Sequence, residues 1–415
     1  MNVRAIVLRP LSFLAVGAAI ALAAILASHR PYALEAGYLV YGIAAVCAVL
    51  GIAYTLIAAH LIGRFFARPL ADADHYPPVT LMKPLHGDEW QLAEHLASFF
   101  DQDYPGPIQY VFGVHDADDI ALQAVATVRA RYPDAHVTTV ADARLHGPNR
   151  KVSNLINMLE QAEHDLLCFA DSDVRVERDY LRTIVGALQA PDVGLVTSAY
   201  RGMAAPGFWP RASAASTNYL FFPGVATGLA SRLARPCFGQ TIALRRATLS
   251  TIGGLHRFAH HLAEDHAIGE AVREIGLTVA VPPRLVDHAC TETTAGVYLA
   301  HESRWSQTIR AADPLGHLGS ALMHPLPFAL IAVLASGGNG SAWALAAAAL
   351  LSRLLLKLRM DRALRQSFAD WFCLPLFDLL QFGVFVTSFG LSDVVWRGRR
   401  FRVDPGGRLS PRLDK

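Results

Sequence analysis

Two apolar runs near the N-terminus, residues 11–28 and 36–62, precede a long polar block at 63–310. Two more apolar runs follow at 318–335 and 342–356. Each run is near the ~20 residues that a membrane-crossing helix needs. A single soluble core does not accommodate runs placed this way. Composition agrees: of 415 residues, 53% are hydrophobic and 17% charged, too apolar for an ordinary soluble chain. A cleaved signal peptide would explain the first run alone, but a second follows at once. Arg4 and Arg9 precede the pair, and Arg64, Arg68 and Lys83 follow it. The positive-inside rule therefore puts both ends in the cytosol. Residues 1–65 read as a hairpin anchor, and the polar block as a cytosolic domain.

The net charge of +2 comes with no basic tract, so nucleic acid is not an expected partner. Cys47, Cys168, Cys237, Cys290 and Cys373 show no CxxC spacing. They fit a reducing compartment, and neither a disulfide frame nor a zinc site. Abundant Ala and Arg point to a bacterial source, and so to the inner membrane.

From Pro77 onward, strand and helix patterns alternate. Strands are expected at 79–82, 110–114, 135–140, 166–170, 194–199 and 277–281, and helices at 90–100, 121–131, 152–162 and 266–275. This is the signature of an α/β, Rossmann-like, mostly parallel sheet covered by helices. The apolar run 166–170 ends in Asp171-Ser172-Asp173, where open α/β sheets bind their ligands. Two carboxylates at i and i+2 can share a hard divalent cation that grips phosphate oxygens. Alone, the triplet reads more readily as an Asp-rich turn. A second strand, 110–114, also ends in an acidic cluster, Asp116, Asp118 and Asp119, which argues against coincidence.

Residues 201–236 lack a clear period; they read as a packed irregular connection or a flexible apolar surface for a greasy substrate. Glu264 and Asp265 open a helix, where a carboxylate is either a cap or a base. His301-Glu302-Ser303-Arg304-Trp305 begins a basic amphipathic stretch through Arg310. A basic loop (Lys357, Arg359, Arg362, Arg365) and the tail 396–402 are expected in the cytosol. Pro375, Asp378 and Ser392 make 371–396 a broken or re-entrant segment.

The ordered set Asp119, Asp171-Ser172-Asp173, Glu264-Asp265 and Arg304-Trp305 resembles the D, D, D, (Q/R)xxRW pattern of processive and lipid-directed family-2-type glycosyltransferases. Residues 78–87, 103–105, 115–119, 149–155 and 396–402 narrow the resemblance to ceramide glucosyltransferases. Within that group, two N-terminal spans on a bacterial chain look most like the hopanoid-biosynthesis-associated glycosyltransferases. There are two departures. His301 stands first in the (Q/R)xxRW motif, and Asp173 replaces the glycine of the ceramide enzymes.

The resemblance implies a GT-A domain over 77–312, flanked by transmembrane helices in 1–65 and 313–415. It implies inverting transfer from a UDP-sugar, UDP-N-acetylglucosamine, to a lipid alcohol, bacteriohopanetetrol. Ceramide glucosylation from UDP-glucose and a processive polysaccharide synthase are the alternatives, although the C-terminal spans are few for a translocating synthase. By the same resemblance Asp265 is the general base, and Asp171 and Asp173 hold Mg2+ or Mn2+. Lys83, Asp116, Asp118, Asp119, Lys151, Asp171, Arg304 and Trp305 face the donor. Glu264 and His301 lie on the acceptor side.

Overall fold

The computed structural model describes residues 30–71, 73–390, 393–396, 399–403 and 409–411. The first expected span, 11–28, lies outside them. The chain packs as two units. One is Phe65–Gly207 with Ser231–Thr291; the other is Met1–Arg64 with Phe208–Ala230 and Glu292–Lys415. Residues 208–230, and those after Thr291, fall in the second unit.

Helix α1 (Arg30–Phe66) opens the described chain. The first unit then runs β1 (Val79–Pro84), α2 (Leu92–Phe100), β2 (Ile108–Val114), α3 (Ala121–Arg131), β3 (His136–Ala141), α4 (Arg150–Leu159), β4 (Leu166–Phe169), β5 (Val174–Arg175), α5 (Tyr180–Leu188), β6 (Val193–Thr197) and β7 (Ala199–Ala204). Helices α6 (Phe208–Ser216) and α7 (Phe222–Ser231) flank a π-helical turn, Thr217–Phe221. The first unit resumes with β8 (Ile242–Arg245), α8 (Arg246–Thr251), α9 (Glu264–Glu274), β9 (Thr278–Ala280) and β10 (Leu285–Cys290).

Seven strands form one sheet in the order β3-β2-β1-β4-β8-β6-β9. All its pairings are parallel except those of β8, which runs against both β4 and β6. The central strands are buried on both faces, which is why β4 reads Leu-Leu-Cys-Phe without a polar break. Helix α2 buries Leu92, Leu96 and Phe99, the spacing of one helical stripe. Helix α4 buries polar residues as well. Asn154 Nδ2 donates to the Gly113 carbonyl of β2 at 2.8 Å, and a Cβ on Gly113 would overlap Asn154 and Met158. The sheet core gathers Met82, Val111, Leu167, Phe169, Leu195 and Leu244.

A second sheet, β5-β10-β7, was not expected. Strand β10 reads Leu-Val-Asp-His-Ala-Cys, and its two polar residues hide the strand pattern. Asp287 is buried, and it is paired with Arg175 at 2.7 Å and with Arg201. Strand 277–281 is therefore not the last. Residues 208–231 are helical rather than irregular, with the period broken at the π-helical turn and Pro210 and Pro223 each in the first turn of a helix, where a missing N–H is tolerated.

The second unit is helical. It contains α10 (Ala295–Ala312), α11 (Pro314–Gly319), α12 (Pro325–Ala335), α13 (Gly340–Leu364) and α14 (Leu374–Ser388), before a small sheet of β11 (Asp393–Trp396), β12 (Arg399–Val403) and β13 (Leu409–Pro411). Among the described residues, Gly37–Phe66 and Gly340–Leu364 are long and apolar enough to cross a membrane. On α1, Leu39, Ile43, Val46, Leu50 and Ile57 are each more than half exposed. The run expected at 318–335 bends by 66° just before Pro325, where proline cannot continue the hydrogen-bond ladder. The expected basic loop is mostly helix: Lys357, Arg359 and Arg362 belong to α13, and the turn comes at Arg365 with φ 54°. Lys357 pairs with Asp361 at 2.5 Å. Helix α14, at 15 residues, is short for a full span.

Buried polar groups in this unit bond to one another. The Arg353 guanidinium donates to both oxygens of Asp378, each at 2.7 Å, and to the Tyr219 carbonyl at 2.9 Å. Both charged side chains are 3% exposed. Gln381 donates to Glu302 at 2.9 Å and to the Tyr298 hydroxyl at 2.6 Å.

Candidate active site

The site is built on the strand ends of the first unit. Ala170 N donates to the Met82 carbonyl at 3.0 Å, carrying the β1–β4 pairing up to Asp171. Lys83, at the end of β1, is 1% exposed. Its Nζ donates to the Asp171 carbonyl at 2.7 Å and lies 3.6 Å from the Phe99 ring centroid. Lys83 thus points inward and fixes the backbone under Asp171, where the sequence suggested a donor contact. Burial pushes its pKa down to about 7, opposed by Asp171 and Asp173.

Lys151 occupies the first turn of α4, which Asn149 caps by accepting from Val152 N at 3.1 Å. The ammonium sits 2.6 Å from Asp171 Oδ1 and 3.1 Å from Glu264 Oε1. Burial works against this charge, but Asp171 and Glu264 outweigh it and hold the pKa above the usual lysine range. Burial raises the Asp171 pKa, and Lys151 opposes it.

Asp173 Oδ2 lies 3.4 Å from His288 Nδ1 on β10. Burial pushes its pKa up, but His288 and the lysines hold it down, to about 2. Ser172 donates to Glu89 Oε1 at 2.8 Å. Burial, reinforced by Asp173, raises Glu89 to about 7.

Asp265 lies in the first turn of α9, whose cap position is Ala263. Its Oδ2 accepts from Gly239 N at 2.9 Å and its Oδ1 from His266 N at 2.8 Å. Burial and then the adjacent Glu264 charge raise its pKa to about 7, near the value a general base needs. A Cβ on Gly239 would come 2.9 Å from Lys151 Nζ, so a side chain there would displace the lysine head group.

At the end of β2, Asp119 Oδ1 accepts from Gly87 N at 2.8 Å and Ala121 N at 3.0 Å. These bonds and His86 lower its pKa despite burial. Asp119 therefore braces the β1–α2 loop, while Asp116 and Asp118 are exposed. His301, Arg304 and Trp305 belong to α10 and the helical unit. His301 Nδ1 lies 2.5 Å from Glu292 Oε1, and its ring lies 4.9 Å from that of Trp305.

Glu89, Asp171, Asp173, Glu264 and Asp265 outnumber Lys83 and Lys151, so carboxyl groups predominate around the site. Asp173 Oδ1 and Glu89 Oε2 are buried acceptors without a hydrogen-bond donor. Among the described residues no three His, Cys, Asp or Glu side chains form a complete metal-binding group. The arrangement suits Mg2+ or Mn2+, which use one or two carboxylates, water and substrate phosphate. Sequence reasoning missed Glu89, in a loop without a pattern, and His288, on the unexpected β10. No signal marked Gly239.

Residues 43–409 match the family model described as Glycosyl transferase family 21. Ceramide glucosyltransferase 1 of Caenorhabditis elegans is 22% identical over 350 residues, covering 80% of this chain and 73% of the relative. The ceramide glucosyltransferase of Candida albicans is 31% identical over 128 residues, 28% of this chain and 24% of its own length. Among solved structures, the mannosyltransferase PcManGT from Pyrobaculum calidifontis in complex with GDP-Man and Mn2+ is 22% identical. It covers 83% of this chain and 98% of that one, with a TM-score of 0.49.

Proposed function

Because the chain belongs to glycosyl transferase family 21, we propose that it moves one sugar from a UDP-sugar to the hydroxyl of a membrane lipid, on a GT-A-type domain. The observation that carries this is the Asp265 carboxylate, held by two backbone N–H groups beside the Lys151–Asp171 pair. Asp265 takes the proton of the acceptor hydroxyl, a poor nucleophile until deprotonated. A single base and direct displacement invert the anomeric centre, giving a β-glycoside from an α-linked donor. Asp173, with Asp171, would hold Mg2+ or Mn2+, which when bound neutralises charge on the departing diphosphate. The roles of Asp116, Asp118, Asp119, Arg304 and Trp305 toward the donor rest on the motif. Helices α1 and α13 supply the membrane anchor, with the catalytic unit on the cytosolic side.

The relatives' names favour glucose and a ceramide-type acceptor over the expected N-acetylglucosamine and bacteriohopanetetrol. The test is radiolabel transfer by the purified full-length chain, from UDP-glucose and UDP-N-acetylglucosamine separately, into ceramide and a hopanoid polyol. A singly glycosylated lipid is expected. A polymer, or free sugar without labelled lipid, would overturn the reading.

A further inference from the structure

Glu264 directly precedes the proposed base, and the sequence put it on the acceptor side. Its carboxylate has partners within the protein. Oε2 accepts from Asn149 Nδ2 at 3.0 Å, Oε1 lies 3.1 Å from Lys151 Nζ, and the side chain is 11% exposed. Asn149 is fully buried and uses its whole amide. Its Oδ1 caps α4, and its Nδ2 also donates to the His261 carbonyl at 3.0 Å. Its backbone N donates to the Ala259 carbonyl at 3.0 Å. The start of α4 is thereby stitched at three points to the segment that enters α9. Gly239 N in turn donates to Asp265 Oδ2 at 2.9 Å.

We propose that Glu264 and Asn149 form a clamp that positions Asp265 against the acceptor hydroxyl, and that Glu264 does not itself touch the acceptor. The proposal rests on the reading of Asp265 as base. A buried amide-to-carboxylate bond is charge-assisted and directional, and it fixes α9 at its first turn, one residue from the reacting oxygen. Proton removal is sensitive to such placement; an error of ~1 Å costs on the order of 10²-fold. Glu264 and Asn149 are positioning residues, so their loss should appear in turnover rather than in binding.

The experiment compares Glu264→Ala, Glu264→Gln, Asn149→Ser and Asp265→Asn in the full-length enzyme. It measures kcat, acceptor KM and calorimetric binding of UDP. Serine keeps the α4 cap but cannot reach Glu264, and glutamine still accepts from Asn149. Glu264→Ala and Asn149→Ser should each lower kcat about 10- to 100-fold, with acceptor KM and UDP affinity unchanged. The Glu264→Ala/Asn149→Ser double variant should fall by less than the two single losses combined, because both remove the Asn149–Glu264 bond. Glu264→Gln should recover most of the turnover. Raised acceptor KM with unchanged kcat in Glu264→Ala would make Glu264 an acceptor ligand and overturn the clamp. So would wild-type kcat in Asn149→Ser, additive losses, or a fully inactive but folded Glu264→Gln. If Asp265→Asn is inactive while the clamp variants turn over normally, the clamp alone falls. If Asp265→Asn turns over normally, base and clamp fall together.

Discussion

Replacing Lys151 with methionine removes one ammonium while keeping most of the side chain's length and volume. Lys151 lies 2.6 Å from Asp171 and 3.1 Å from Glu264, and the three side chains are 21, 25 and 11% exposed. At an effective dielectric of about 20, each such pair is worth roughly 4 kcal/mol gross, against several kcal/mol for desolvating the ammonium. The substitution leaves two carboxylates facing each other beside Asp173 and Asp265. Deleting one partner of a buried ion pair costs about 3–5 kcal/mol. A unit of this size loses about 2–4 °C of Tm per kcal/mol, so its Tm in EDTA should drop by roughly 6–20 °C. A divalent cation supplies the missing positive charge, so Mn2+ should return much of that loss. Thermal unfolding followed by tryptophan fluorescence, with EDTA and across a Mn2+ titration, reads both effects. A drop below about 2 °C in EDTA would show that Lys151 does not balance these carboxylates. A full-size drop that Mn2+ leaves untouched would remove them as a cation site.

Asp265→Asn should keep UDP binding and lose about 10²–10⁴-fold in kcat; retention of half the turnover would make Asp265 structural. With its pKa raised to about 7 by burial and Glu264, Asp265 is protonated below that pH, so kcat should fall as pH drops through 7. A flat profile from pH 5.5 to 8 contradicts the base assignment. Asp173→Ala should abolish metal-dependent activity, read by titrating Mn2+ into chelator-treated enzyme; full activity without any divalent ion would refute the metal role. Arg304→Lys should damage donor turnover nearly as much as Arg304→Ala, because a point charge cannot replace a planar bidentate fork. Near-normal kinetics for the lysine variant would move Arg304 away from the diphosphate.

The sheet was legible where burial on both faces leaves an unbroken apolar run, as in β1, β2 and β4. Helix α3 occupies the 121–131 expected from its pattern. Legibility failed where pairing, not apolarity, lets a residue be buried. Strand β10 hides behind Asp287 and His288, because Arg175 and Arg201 are remote in sequence. Likewise, Lys83 and Lys151 look alike as motif lysines. Only the fold turns one inward onto a carbonyl and sets the other between two carboxylates. The bend before Pro325 was visible as a proline but not as a 66° angle, which depends on what packs around it.

The Arg353–Asp378 pair also constrains how the chain is made. In a bilayer an isolated arginine or aspartate at depth is costly, yet α13 carries one and α14 the other. The ribosome finishes α13 before Asp378 exists, so Arg353 waits unneutralised until α14 arrives. With α13 in a bilayer, Arg353 would lack its carboxylate partner for the time needed to translate the intervening residues. A chain truncated between Leu364 and Leu374 would leave Arg353 permanently without its carboxylate partner.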